Sequence, residues 1–269
     1  MSESHIKDWN HFLEISAHFK KAEKIFRGQT DASWPLRSSL TRIFNKYNID
    51  KKEAIEIEKK LLITFQENNA DVFIAKLEPS NKILWWTAMQ HYGAPTRLLD
   101  WSTDINVALY FAVCDRFDTD GALYCFDDGH LNFIRKVRSN AEWANIDVQL
   151  ENSLSGKDYE TSIYAFTNEL PIERKVNQKG CFTITTELTE DIEGVHDKIA
   201  DRLVFDGVHG SEGKSLMIKY TIDSSLKVSL LKNLMDVGIN GQFLFPGLDG
   251  LGMMTTNVLH TLVLETVKF

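Results

Sequence analysis

The order of helix-like and strand-like segments constrains the fold of this chain more than any other feature. Apolar residues recur every three or four positions in residues 8–23, and residues 50–76 are rich in strong helix formers. Strand-like patterns dominate later, at Cys181–Thr185 and Leu216–Ile222. Because no linker separates the two halves, we predict one α+β domain over residues 1–269.

Shorter segments complete this plan. We predict an N-terminal helix in about the first 24 residues and an irregular insertion with some helix at about 127–170. A glycine-rich loop at 245–254 then leads into an apolar C-terminal helix or strand. The remaining predicted elements are strands at Ile25–Phe26, Thr96–Trp101, Gly121–Asp127 and Arg174–Val176 and helices at Lys82–Tyr92, Ile105–Arg116 and Leu226–Val237.

Composition narrows the class of protein. Of 269 residues, 38 are acidic and 30 basic, which gives a net charge of -8, and 43% are hydrophobic. The hydrophobic fraction excludes an intrinsically disordered chain, and the acidity argues against a broad basic face that grips nucleic acid. Residues 20–46 nevertheless carry seven basic and two acidic side chains. This local charge suits either a phosphate-bearing ligand near Arg27 or a solvated basic face.

The cysteines and the lack of long apolar runs indicate the compartment. No apolar run approaches the roughly 20 residues that cross a bilayer, and the first residues lack a secretory signal pattern. We therefore expect a cytoplasmic protein without a membrane partner. Cys114, Cys125 and Cys181 are odd in number and lie in apolar surroundings, so we interpret them as reduced core residues. We predict no metal site.

Arg27 is the first residue that could carry chemistry. It follows two apolar residues of a predicted strand, and a guanidinium in such a place is costly to desolvate unless it meets an anion. Its planar fork suits a carboxylate or a pyrophosphate. Arg27 is thus either an anion ligand or the partner of an internal acid such as Asp31 or Asp100.

A second polar cluster lies between residues 90 and 103. His91 would need an orienting carboxylate to act as a general base, and otherwise it is structural. Arg97 and Asp100 are three residues apart, so in a strand they point to opposite faces and do not pair. Ser102 and Thr103 could cap the helix that follows or face a ligand.

The chain lacks the common catalytic motifs. It contains no phosphate-binding P-loop, no H-E-x-x-H zinc motif and no G-x-S-x-G nucleophile elbow. The glycines at 247, 250 and 252 follow a proline and do not open a helix after a strand, so a dinucleotide-binding fingerprint is weakly matched.

Four motifs together resemble the FRG domain of bacteria. They are Phe26-Arg27-Gly28, the segment QHYGAPTRLLDWSTDINVALYFA at 90–112, NQKGCF at 177–182 and LFPGLDGLG at 244–252. The resemblance spans nearly the whole chain, and the long second motif is specific.

A more distant resemblance links the same motifs to ADP-ribosyltransferases of the arginine-serine-glutamate class. Phe26-Arg27-Gly28 is similar to the aromatic-Arg-Gly of their first core strand, and Trp101-Ser102-Thr103 is similar to their serine motif. The resemblance implies a mixed β core and NAD as the substrate. It also implies a cofactor site made by Arg27 on the phosphates, with Gly28 and Gln29 beside it, Ser102 and Thr103 at the nicotinamide ribose, and Trp101 or Tyr110 stacking on a ring.

The catalytic glutamate of that class has no clear counterpart here. The resemblance places it shortly before NQKGCF, where Glu173 is close and Gln178 is the other polar residue. A glutamine can hydrogen-bond a ribose hydroxyl but supplies no negative charge. The catalytic role therefore falls to Glu173, or shifts to His91 or Asp100, with Gln178 as an uncharged participant.

Three functions remain open. The first is an NAD-dependent ADP-ribosyltransferase with a protein or nucleic-acid acceptor, a toxin or anti-phage effector with an antitoxin or immunity partner. The second is a non-catalytic module that binds a nucleotide or nucleic acid. The third is a hydrolase or nuclease that uses His91, Arg97 and Asp100.

Overall fold

Seven strands carry the fold. In the computed structural model, which describes residues 1–19, 24–69, 74–127, 146–167, 176–205 and 216–266, the strands are β1 (Ser2–Ile6), β2 (Ile25–Gln29), β3 (Leu99–Ser102), β4 (Gly121–Phe126), β5 (Ile163–Phe166), β6 (Gly180–Thr185) and β7 (Met217–Ile222). They form one sheet in the order β1-β7-β4-β2-β3-β6-β5. β1 runs parallel to β7, and the other neighbours are antiparallel.

Helices surround this sheet. They are α1 (Trp9–Phe19), α2 (Ser39–Lys46), α3 (Lys51–Glu67), α4 (Lys82–His91), α5 (Ile105–Val113), α6 (Ile146–Ser155), α7 (Ile192–Phe205), α8 (Ser224–Asp236), α9 (Gly241–Leu244) and α10 (Leu248–Thr266), with a 3-10 turn at Ile74–Lys76. Side chains fix several helix starts: Ser38 and Asp50 each accept a hydrogen bond from a backbone N–H of α2 and α3, respectively.

Alternation along the strands distributes the core over both faces of the sheet. Phe26 and Leu123 pack with α1, α5 and α8, whereas Trp101 and Tyr124 pack with α7 on the opposite face. A third apolar cluster joins α3, α4 and α6 to β5 and β6 and includes Phe182. The sheet is thus covered by helices on both sides.

Helix α5 crosses two strands at unusually close range. A Cβ added to Gly28 on β2 would overlap the Ala108 carbonyl oxygen and lie 2.5 Å from the Ala112 nitrogen. A Cβ added to Gly121 on β4 would lie 2.5 Å from the Ala112 carbonyl oxygen. Glycine at both positions therefore lets the backbone of α5 rest directly on the sheet.

The centre of the sheet contains a partial opening. β2 pairs with β4 over five residues, but its register with β3 consists of the single pair Phe26 and Ser102. Beyond that pair the two strands diverge, which leaves Arg27 and Gly28 on one side and Asp100 on the other. This divergence places the candidate site.

The structure confirms the single α+β domain and several elements. The predicted helix at Lys82–Tyr92 is α4, and the helix that begins near Leu226 ends as expected, with Val237 as its C-cap and Gly238 at φ +85°.

Other predictions are corrected. Within the predicted insertion, α6 is regular and β5 forms the edge of the sheet, so this part belongs to the core fold. The glycine-rich segment is helical from Leu248, and α3 already ends at Glu67. β1 was not predicted, because its sequence SESHI lacks a strand-like pattern. Of the predicted strand Arg174–Val176, the first two residues lie outside the described ranges, and Val176 lies in a helical turn.

Candidate functional site

A cavity of about 340 Å³ opens where β2 and β3 diverge. Its walls come from β2, β3, β6, α4, α5 and the turn before β6. Seven of the residues predicted from the sequence line it: Arg27, Gly28, His91, Asp100, Trp101, Ser102 and Gln178. Residues distant in sequence thus meet in one site.

Arg27 joins the two walls of the opening. Its Nη1 donates a hydrogen bond of 2.6 Å to the main-chain carbonyl oxygen of Asp100. Its Nε is buried and has no hydrogen-bond partner among the described residues. Burial lowers the pKa of the Arg27 guanidinium from its ordinary value, an effect that the charge of Asp100 partly offsets. The cation is therefore partly desolvated, and its Nε–H is left as a donor for an anion.

Of the two alternatives for Arg27, a salt bridge with Asp31 or Asp100 is not formed among the described residues. Asp31 instead pairs with Arg116, at 3.3 Å, and accepts hydrogen bonds from Ser33. Asp100 meets Arg27 through its main chain and not through its carboxylate.

The carboxylate of Asp100 lines the cavity and is held by its neighbours. Gln90 Nε2 donates to Asp100 Oδ2 at 2.8 Å, and Gln90 Oε1 accepts from the hydroxyl of Thr96. Asp100 itself is solvent-exposed. Arg27 and the oriented Asp100, a cation and an anion, thus both line one cavity.

Ser102 connects β3 to the turn that precedes β6. Its Oγ donates to the Gln178 carbonyl oxygen at 2.7 Å and accepts from the backbone N–H of Asp104 at 3.0 Å. The N-cap of α5 is Asp104, whose carboxylate accepts from the Asn106 N–H. Ser102 therefore does not cap α5 itself but fixes the residues that begin it.

Gln178 is held mainly as part of this turn. Its Nε2 donates to the Leu244 carbonyl oxygen at 3.1 Å, and its own carbonyl accepts from Ser102. The next residue, Lys179, has φ +45° and forms a 2.8 Å ion pair with Asp104. The side-chain carbonyl of Gln178 has no hydrogen-bond donor among the described residues and remains available as an acceptor.

His91 ends α4 at the rim of the cavity. It is exposed, and its ring packs edge-on against Tyr92 with 4.9 Å between centroids. Among the residues with described positions, no carboxylate is bonded to its ring. The orienting partner that a histidine base usually has is thus not supplied within these residues.

Four predicted residues lie away from the cavity lining. Gln29 is buried and donates to the Trp34 carbonyl oxygen at 2.8 Å. Tyr110 lies on α5 and is fully buried. Its hydroxyl forms a 2.7 Å hydrogen bond with Asn257, so the ring is not positioned to stack on a ligand. Thr103 is exposed and bonds the Lys179 carbonyl oxygen. Arg97 forms a buried ion pair with Glu58.

The two remaining predictions concern Trp101 and Glu173. The Trp101 indole is 4% exposed and packs in the core, where Nε1 donates to Thr183 Oγ1 at 2.8 Å. Trp101 is among the residues that line the cavity, but its ring packs in the core against the sheet. Glu173 lies outside the described residues.

Sequence reasoning missed the role of Gln90 and Thr96. Both belong to the motif at 90–112, and the spacing of Gln90 from Asp100 gave no sign that a helix and a strand would bring them together. A signal was present in the density of hydrogen-bonding side chains beside the Gly-Ala-Pro turn, which exceeds what helix packing requires.

Neither a metal cluster nor a membrane span is found in the described part of the chain. No three His, Cys, Asp or Glu side chains there are grouped to hold a metal ion. No described helix has the length and apolar character needed to traverse a bilayer. The three cysteines are free thiols, and Cys125 and Cys181 are buried, as expected for core residues.

Comparison with known proteins gives one match. The family model of the FRG domain matches residues 22–121, which include β2, the motif that builds α4, β3 and α5, and the start of β4. No curated protein and no solved structure matches the chain.

Proposed function

We propose that this chain, which carries an FRG domain at residues 22–121, is an NAD-dependent ADP-ribosyltransferase. NAD carries negative charge on its diphosphate and positive charge on its nicotinamide ring. Arg27 on β2 and Asp100 on β3 both line the cavity, so one site holds a cation for the diphosphate and a separate carboxylate. The presence of these two opposite charges in one cavity is the observation that carries the proposal.

Arg27 would bind the diphosphate. A guanidinium whose burial lowers its pKa gains most from a bound anion, because the anion replaces the lost solvation of the charged form. Its Nε–H, which has no hydrogen-bond partner among the described residues, provides a donor.

Ser102 and Gln178 would border the nicotinamide ribose. Ser102 ties β3 to the Gln178 turn, so the two walls of this end of the cavity keep a fixed spacing. Pre-organised walls lower the entropy lost when a flexible dinucleotide binds.

The acceptor would be a protein or a nucleic acid. We further propose that the protein acts in the cytoplasm of a bacterium, as a toxin or anti-phage effector whose activity an antitoxin or immunity partner restrains. These assignments follow from the family resemblance and from the proposed chemistry.

The test is release of nicotinamide from NAD by the purified chain. Arg27→Gln removes the charge and keeps an N–H donor, and thermal unfolding of the variant checks its fold. Arg116→Gln is the matched control, because Arg116 is exposed and does not line the cavity. We expect Arg27→Gln to weaken NAD binding on the order of 10- to 100-fold, as for loss of charge-assisted hydrogen bonds. Equal NAD binding and turnover in both variants would refute the proposal.

A second candidate is a nucleotide-binding module without catalysis. The feature that favours it is Gln178, an uncharged side chain near the position where the resembling enzymes carry glutamate. Titration of NAD and of ADP into the chain, beside the nicotinamide assay, separates the two. Tight binding without nicotinamide release supports the module.

A further inference from the structure

We propose, on the basis of the proposed function, that Asp100 is the catalytic carboxylate and that Gln90 is its positioning residue. Asp100 lies two residues before Ser102 on β3, so both side chains point to the same face of the sheet. On that face the registered partner of Asp100 is Phe182, and that of Ser102 is Gly180. The small glycine leaves space beside Ser102.

A chain of hydrogen bonds fixes the orientation of the carboxylate. The Leu98 N–H donates to Thr96 Oγ1 at 3.2 Å, so the Thr96 hydroxyl is left to donate to Gln90 Oε1. The amide orientation of Gln90 is thereby set, and its Nε2 donates to Asp100 Oδ2 at 2.8 Å. A backbone group thus anchors the carboxylate through two side chains.

One carboxylate oxygen remains available. Oδ2 is taken by Gln90, whereas Oδ1 has no hydrogen-bond donor among the described residues. Arg27 bonds the main-chain carbonyl of Asp100, and so it does not neutralise the carboxylate by direct contact. Oδ1 can therefore accept a hydrogen bond from a ribose hydroxyl.

The negative charge of the Asp100 carboxylate would act when the bond to nicotinamide breaks. The bond between ribose C1′ and the pyridinium nitrogen breaks, and its electron pair stays on nitrogen, so nicotinamide leaves as a neutral molecule. The ribose becomes an oxocarbenium-like cation, which a nearby carboxylate stabilises. A nucleophile, which is water in the assay below, then bonds C1′ and releases a proton to solvent.

The experiment measures kcat and KM for nicotinamide release from NAD by the full chain. We expect Asp100→Asn to lower kcat on the order of 100-fold with little change in KM, because the charge acts in the transition state. Gln90→Leu should lower kcat about tenfold through misplacement of the carboxylate. Asp118→Asn is a matched control at an exposed carboxylate outside the cavity.

The double variant tests the positioning role. If Gln90 acts through Asp100, Gln90→Leu should have no further effect on kcat in the Asp100→Asn background. A further loss there would overturn the positioning role. Thermal unfolding of each variant checks the fold, and Thr96→Val offers a second way to release Gln90 if Gln90→Leu does not fold.

The outcomes distinguish this inference from the proposed function. Nicotinamide release by the natural sequence, with kcat unchanged in Asp100→Asn, overturns the role of Asp100 alone. No release by the natural sequence overturns the transferase proposal and the role of Asp100 with it.

Discussion

Arg27 on β2 donates a hydrogen bond of 2.6 Å to the main-chain carbonyl of Asp100 on β3, across the point where the two strands stop pairing. A single side chain thus satisfies a carbonyl that the divergence of the strands would otherwise leave open. The same contact sets a cation beside the one oriented carboxylate described in the cavity. Structural support and ligand chemistry therefore depend on the same residue.

Gly28→Ala should strongly destabilise the fold. The added methyl group would overlap the Ala108 carbonyl oxygen in the backbone of α5, which cannot move without shifting the helix. We expect a loss of about 3 kcal/mol or more in the free energy of unfolding, measured by urea denaturation.

Gly252→Ala is the control for this substitution. Gly252 lies in α10 with no atom within 4 Å of an added Cβ, so alanine there should stabilise by about 0.5–1 kcal/mol. Similar free energies of unfolding for the two variants would contradict the packing role of Gly28.

Breaking the buried ion pair between Arg97 and Glu58 should also destabilise the protein. Arg97 Nε donates to Glu58 at 2.6 Å, and the guanidinium stacks on Trp86 at 5.0 Å. Arg97→Met or Glu58→Leu alone leaves a buried charge unpaired, which costs about 3–5 kcal/mol.

The double variant Arg97→Met/Glu58→Leu should recover much of this loss, because it leaves no buried charge. Chemical denaturation of the four proteins measures the effect. A double variant that is less stable than either single variant would show that the pair is not the source of the cost.

His196 should make the fold sensitive to acid. It is 1% exposed, its Nδ1 lies 2.8 Å from Asp197, and burial lowers its pKa despite that neighbour. The neutral form is therefore favoured by folding, so its contribution is fully present above the unfolded pKa of about 6.5 and is lost as the pH falls below it.

The test is the free energy of unfolding measured at pH values between about 7.5 and 5. His196 should contribute a slope of up to about 1.4 kcal/mol per pH unit to this free energy. His196→Gln should flatten the slope in this range. His5→Gln, at an exposed histidine, should leave it unchanged. Identical slopes in all three proteins would exclude His196 as the acid-sensitive group.

Ser102→Ala should weaken both stability and nicotinamide release. The change removes the bonds to the Gln178 carbonyl and to the Asp104 N–H, so we expect a loss of about 1–3 kcal/mol in unfolding free energy. The freed Gln178 turn should raise the KM for NAD. Thr103→Ala, at the adjacent exposed hydroxyl, should change neither quantity by a comparable amount.

The sequence was sufficient to predict the fold class and the convergence of two motifs. Arg27 follows an apolar run that forms a strand, and Ser102 ends another. Strands of one small domain usually join the same sheet, so the two residues were expected to lie near each other. Both residues indeed border one cavity.

The sequence could not assign the individual contacts. Tyr110 and Arg97 have the polar groups of site residues, but long-range partners, Asn257 and Glu58, commit them to the core. The sequence assigned no contact to Gln90. In the structure the turn between α4 and β3 places its side chain beside Asp100. Such choices depend on packing between distant segments, which local patterns do not encode.

The single registered pair between Phe26 and Ser102 divides the sheet into two blocks, β1-β7-β4-β2 and β3-β6-β5. A molecule bound to both Arg27 and Asp100 would join the two blocks where they pair through a single residue. Its binding free energy would then stabilise the folded state. A ligand that binds only the folded state raises the melting temperature. An increase in the melting temperature in the presence of a particular nucleotide can therefore identify the ligand of this protein without an activity assay.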